Sequence, residues 1–251
     1  MPSAMSQPRS TVAAAAGRLR SLSLEAEPDA FLGSEEALVA KLGGARATVR
    51  QAARILEREG FLAVRRGING GYFSARPDVE TIASAVSGYL DTLDMEPENL
   101  MEFATVLWVE AMRQAASLGS PEARAAAEKL RAQVLKIRPS ASFQQVNNLD
   151  EEIKATVFEL TRARYIQFIF QVNRAFARRR FHWTGLPLDP DKEREFIEGW
   201  RDAKLMELKA VAEGDPELGV VAARYSRKVW HRRIADTAEA GERQKSLRIA
   251  G

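Results

Sequence analysis

The sequence predicts a mainly α-helical chain: a small N-terminal helix-and-hairpin module followed by an all-α antiparallel helical bundle. Three observations predict it. Between residues 34 and 73 a short helix, a Gly-Gly turn, an arginine-striped helix and two short strands follow one another. Beyond Phe73 the apolar residues recur only at helical spacing, and no alternating strand pattern appears. Charge is also uneven. Eleven Lys/Arg and seven Asp/Glu lie up to Arg76, against 26 and 27 beyond it, so a basic module precedes a near-neutral body.

Taken in order, residues 1–9 are small, polar and proline-bearing and read as a disordered tail. Residues 10–24 carry an alanine run and then Leu19, Leu22 and Leu24, which predicts a first helix ended by Glu27-Pro28-Asp29. A second short helix starts near Ser34. Gly43-Gly44 supplies the backbone freedom for a tight reversal. The third helix is predicted over 45–59, with Val49, Ala53 and Leu56 facing inward and Arg46, Arg50 and Arg54 outward at i, i+4 and i+8. Gly60 closes it. Phe61-Leu62-Ala63-Val64 and Tyr72-Phe73-Ser74-Ala75 predict a hairpin with a basic, glycine-rich tip from Arg65 to Gly71.

Helix, turn, helix and hairpin in this order make a winged helix-turn-helix, here over 10–76. A helix fits the major groove of DNA, and arginines in its first turns reach base edges or phosphates. Six arginines against two glutamates over 44–66 suit that task. An arginine stripe alone would also suit a solvated helix face. The joint occurrence of the Gly-Gly turn, the N-terminal arginine pair and the basic wing favours the DNA reading.

The residues of this module resemble GntR-family transcriptional regulators. Leu32-Gly33-Ser34-Glu35-Glu36-Ala37-Leu38 through Gly43 is similar to that family's opening, and Ala45-Arg46-Ala47-Thr48-Val49-Arg50 to its recognition segment. Leu56-Glu57-Arg58-Glu59-Gly60-Phe61 and the wing also match. The resemblance implies that Ser34, Arg46, Thr48, Arg50, Arg66, Asn69 and Gly70 form the DNA-binding set. Two positions depart from the pattern: Ala45 stands where the family usually has serine, and Glu36 where some members carry a DNA-contacting arginine.

After Arg76-Pro77 the predicted helices run 78–93, 97–117, 121–137, 142–161, 163–181, 190–213 and 216–240, with Gly or Pro at most joints and a polar tail over 241–251. Residues 77–240 are read as an effector-binding and dimerisation domain. The chain has no cysteine, which removes disulfides and thiolate metal sites. No stretch approaches the roughly 18 apolar residues of a membrane span, and the N-terminus has no signal pattern, so a cytoplasmic protein is expected. Arg174, Arg178, Arg179 and Arg180 with Phe176 and Phe181 form a basic-aromatic cluster, read either as a solvated helix end or as a contact to DNA or an anionic effector.

Helix order and two local segments, Leu149-Asp150-Glu151-Glu152-Ile153-Lys154 and Ala210 to Asp215, resemble the FadR branch of the family and its FCD-type effector domain. Typical members hold a divalent metal with one aspartate and three histidines. Those positions fall on Asp150, Lys154, Lys204 and near Ser226. A lysine ammonium offers a metal no lone pair, so no metal or other cofactor is expected. Lys154 and Lys204, beside Asp150, are instead expected to bind a small anionic metabolite, unless both face solvent. The expected partners are double-stranded operator DNA, that effector and a second copy of the chain. The competing reading is an enzyme using Lys154 or Lys204 in a helical pocket, with a vestigial winged domain. No Walker loop, G-x-S-x-G or Cys-His arrangement supports it.

Overall fold

The computed structural model describes residues 11–67, 70–93, 95–180 and 187–249, the last nine for their backbone. The tail expected over 1–9, the wing residue Asn69 and His182 lie outside the described residues. The chain falls into two compact units that divide between Val86 and Ser87.

The first unit is a winged helix-turn-helix. Helix α1 spans Val12–Glu25, capped where the Thr11 hydroxyl accepts from the Ala14 amide at 3.2 Å. Strand β1, Phe31–Gly33, leads into α2, Glu35–Leu42, whose N-cap is Ser34. Gly43 ends α2 in the left-handed region at φ 65°. Helix α3 follows over Arg46–Arg58, then β2, Leu62–Arg65, and β3, Gly71–Ser74. The sheet is antiparallel in the order β1-β3-β2, with Phe31 opposite Phe73 and Val64 opposite Tyr72. Strand β1 was not expected. Three residues are too short to show alternation, and their pairing depends on a partner forty residues on.

The expected inward face of α3 forms the core: Val49, Ala53 and Leu56 pack with Leu19, Leu38, Leu42, Leu62 and Tyr72. Removing these side chains from water supplies most of the unit's stability, about 1.5–3 kcal/mol for each large one. Arg76 closes the C-terminal end of α1, donating to the Ser23 carbonyl at 2.8 Å and the Ala26 carbonyl at 2.7 Å. The expected boundary before Pro77 lies ten residues before the division between the units. The reason is local: Pro77 and Thr81 close on Gly60, and Ala83 is buried. Helix α4, Val79–Leu90, therefore begins within the first unit.

The second unit is all helix: α5 Pro97–Ser117, α6 Pro121–Val134, α7 Phe143–Thr161, α8 Arg164–Arg180, α9 Pro190–Glu213 and α10 Pro216–Ile249. Side chains cap these helices: Ser120 on α6, Ser142 with Gln145 in a reciprocal box on α7, and Asp189 on α9. Gly214 ends α9 at φ 72° and returns the chain as α10, which packs along α9 and α5. Trp108, Met112, Ile153, Phe158, Phe170, Ile197 and Trp200 are central to the core. Helix α10 continues to Ile249, past the expected end at 240, because the polar residues there (Glu, Arg, Gln, Lys) are good helix formers rather than breakers.

Gly60 is the least replaceable joint in the first unit. Its φ is +77°, and an added Cβ would stand 2.9 Å from the Pro77 Cα. Gly60→Ala is expected to destabilise the first unit by about 1–3 kcal/mol, read as a lower urea midpoint with an unchanged slope.

Candidate functional site

The outward face of α3 carries Arg46, Arg50 and Arg54, all exposed, with Thr48 half-buried between the first two. Both leading arginines are held by the start of α2. Arg50 donates through Nε to Glu35 at 2.7 Å, and Arg46 approaches Glu36 at 3.6 Å. Hydrogen bonding and charge from Glu35 raise the Arg50 guanidinium further above its ordinary value. The sequence marked Glu36 as a departure from the family pattern and gave neither Glu35 nor Glu36 a partner. Their partners lie ten and fifteen residues on, across the Gly-Gly turn. The Ser34 hydroxyl is occupied as the α2 cap, accepting from the Ala37 amide at 3.3 Å. At the wing, Arg66 is exposed. A side chain at Gly70 would meet the Arg65 carbonyl at 2.6 Å, so glycine keeps the tip closed. Arg65 is tied to Asp29 and lies over the Phe73 ring at 4.1 Å.

In the second unit α7 and α9 bring Asp150, Lys154 and Lys204 together, as the sequence implied. Asp150 is wholly buried. One of its oxygens meets the Lys154 ammonium at 2.6 Å; the other meets Lys204 at 3.1 Å and accepts from the Trp200 indole at 2.9 Å. Lys204 also donates to Glu207 at 2.8 Å, and Glu207 accepts from the Trp108 indole at 2.7 Å. Burial alone would push the Asp150 carboxyl up, but the two ammonium groups hold it well below the usual carboxylate range. Burial pushes the Lys154 ammonium down against the pull of Asp150. For Lys204 burial is outweighed by Asp150 and Glu207, which hold it above the ordinary lysine value.

A cavity of about 430 Å³ opens beside this cluster. Of the four residues expected at the effector site, Lys154 alone lines it. Asp150, Lys204 and Ser226 sit in the core behind it, each at most 1% exposed. Lys204 stays there because two indole-bound carboxylates, Asp150 and Glu207, neutralise it in place. The cavity's other cations are Arg174, Arg178 and Arg227, and its apolar wall includes Phe143, Phe170 and Trp230. Half of the basic run on α8 thus faces a cavity rather than only solvent. Arg227 and Glu207 were missed. Each is adjacent to, or one helical turn from, a position already singled out, and that proximity was the available signal.

A divalent metal does not suit these residues. Lys154 and Lys204 occupy two of the positions where the resemblance places ligands, and both point ammonium groups at Asp150. An ammonium has no lone pair, and the remaining Asp150 and Ser226 oxygens make an incomplete set. The lysine-base reading of an enzyme meets a related obstacle. Lys204 is held charged between carboxylates, and the Lys154 ammonium contacts Asp150 and Glu151, the latter at 2.9 Å.

Removing the Asp150 charge leaves two buried cations without their partner. Asp150→Asn is expected to cost about 3–5 kcal/mol, measured by denaturant unfolding. The folded-state carboxyl value is depressed, so its stabilisation is complete above the unfolded-state value. It is lost as pH falls from about 4 toward the folded-state value. An acid titration of wild type should therefore show a steeper stability loss below that pH than the Asp150→Asn variant does.

No protein-family model and no curated protein sequence matches the chain. Among solved structures, the fold is similar to that of a GntR regulator from Streptococcus agalactiae, with a TM-score of 0.63 and 20% identity over 88% of this chain and 99% of that one. McbR/YncC from E. coli gives a TM-score of 0.43 and 16% identity over 91% and 97% of the two chains. The fold assignment rests on the first. By that likeness the chain has the fold of a GntR regulator, a winged helix-turn-helix followed by a helical domain.

Proposed function

We propose that the protein is a sequence-specific DNA-binding transcription regulator whose operator affinity is modulated by a small anionic metabolite in its helical unit, and that it acts as a cytoplasmic homodimer rather than as an enzyme. The observation that carries this reading is the exposed arginine face of α3, set beside a basic wing on a winged helix-turn-helix core. Similarity in fold to a GntR regulator supports it.

In this reading Arg46 and Arg50 reach guanine edges, because both lie in the first turns of the helix that enters the major groove. Thr48 and Ser34 contact the flanking backbone. Arg66, Asn69 and Gly70 carry the wing to the adjacent groove. Glu35 and Glu36 hold the two arginines extended before DNA arrives, which lowers the ordering cost of the bound state. Association of two copies doubles the bases read. Exposed Phe103 and Val106, 47% and 65% accessible on α5, support an apolar interface on that helix.

Gel shift against DNA upstream of the chain's own gene tests the reading. Arg46→Ala and Arg50→Ala should each cost about 1–3 kcal/mol and relax preference at one base pair. Arg66→Ala should weaken all sequences alike and flatten the log K against log salt slope by ~0.9. Wild-type affinity in both α3 variants would contradict the assignment. Light scattering at tens of micromolar should give a dimer for wild type and a monomer for Val106→Glu; a wild-type monomer with an asymmetric footprint would contradict the dimer.

A further inference from the structure

The cavity bounded by α5, α7, α8 and α10 is lined by a buried cation that pairs with no acid among the described residues. Arg227 is 8% exposed, and its Nε is buried without a hydrogen-bond partner. It makes no ion pair among the described residues and feels Asp150 and Glu207 only at longer range. A buried, unpaired guanidinium is costly, and its planar fork matches a carboxylate. Lys154 lies on the same cavity. Its ammonium has three donors; one goes to Glu151 at 2.9 Å, and Asp150 faces it as an ion-pair partner at 2.6 Å.

The charges around the cavity set the ligand's charge. Lys154, Lys204 and Arg174 are ion-paired with Asp150, Glu151 and Glu207, and Arg178, also on the lining, has an interaction of its own, which leaves Arg227 as the lining cation without an ion pair among the described residues. The wall sets its body. Phe143, Phe170 and Trp230 line the cavity with Leu100, Met101 and Ile234. The Lys154 ammonium lies 5.8 Å from the Phe170 ring centroid and 5.5 Å from that of Trp230. A small, strongly hydrated anion would leave this wall uncovered. An anion with an apolar body covers it and gains the burial.

We propose that this cavity binds an organic monocarboxylate with an aromatic or other apolar body, its head held by Arg227 and Lys154 without a metal ion. Lys204, locked between Asp150 and Glu207, does not touch the ligand; it keeps Asp150 ionised so that Lys154 remains placed. This deepens the proposed function and rests on it for the regulatory consequence, but the binding site stands on the cavity alone.

The test is calorimetry on the full chain after EDTA treatment and dialysis. The panel is acetate, hexanoate, phenylacetate and 2-naphthoate, with hexanamide, phenylacetamide and 2-naphthamide as neutral partners. At least one apolar acid should bind, with its amide and acetate weaker by roughly tenfold or more. Arg227→Lys and Arg227→Met should lose that preference for acid over amide, while Lys129→Met, on exposed α6, retains it. Equal binding of acid and amide by wild type, binding that requires added Zn²⁺, or no bound acid at millimolar concentration would each overturn the proposal, and none depends on a variant folding. Gel shift in the same buffers separates the two readings. Acid binding that leaves DNA affinity unchanged upholds the site and counts against ligand control; DNA binding with no acid bound does the reverse.

Discussion

The second unit is built around one wholly buried carboxylate. Asp150 can stay ionised in a helical core only because two ammonium groups and an indole N–H saturate it. This constraint reaches outward. Lys204 needs a second acid, and Glu207 supplies it; Glu207 in turn fixes Trp108 at the centre of the apolar cluster. Lys154 then lies at the cluster's edge, with its ammonium at the cavity. Removing two charges from water is expensive, so the arrangement holds only while every member is present. The Trp108 and Trp200 rings thus do two things at once, closing the core and donating to its acids.

The same network separates two roles that the sequence could only present together. Lys154 and Lys204 both stand where relatives by resemblance would offer histidine, and both approach Asp150. Their surroundings differ. Lys204 is enclosed by partners, whereas Lys154 and the neighbouring Arg227 line a space with apolar walls. In the proposed site, a fixed positive charge at that place would do electrostatically what a metal does, without its coordination geometry.

What was legible depended on how local the physics is. The winged module could be read because its signals are short-range: a glycine where α2 must stop, arginines four residues apart on α3, and a glycine just past the end of α3. Helices α5 to α9 were legible within a few residues from helical spacing and Gly/Pro joints. Strand β1 was not, since its three residues form a strand only by pairing with β3. Arg227 and Glu207 were not, because nothing in the spacing of α9 and α10 says which charged residue turns inward once the helices pack. Glu35 and Glu36 were visible as acids but not as partners of Arg50 and Arg46, whose approach requires the turn to be closed.

The two lysines divide the labour in the proposed site: Lys204 is locked within the fold, and Lys154 is open to a ligand. Nitrogen-15 NMR of the lysine side chains, in EDTA-treated full-length protein titrated with an apolar acid such as phenylacetate, reads both ammonium groups at once. The account predicts that Lys204 gives a sharp, exchange-protected ammonium signal at neutral pH that stays still, while the Lys154 signal moves with added acid. A Lys204 signal that shifts with the ligand while Lys154 does not, or a rapidly exchanging, solvent-like Lys204, would contradict it.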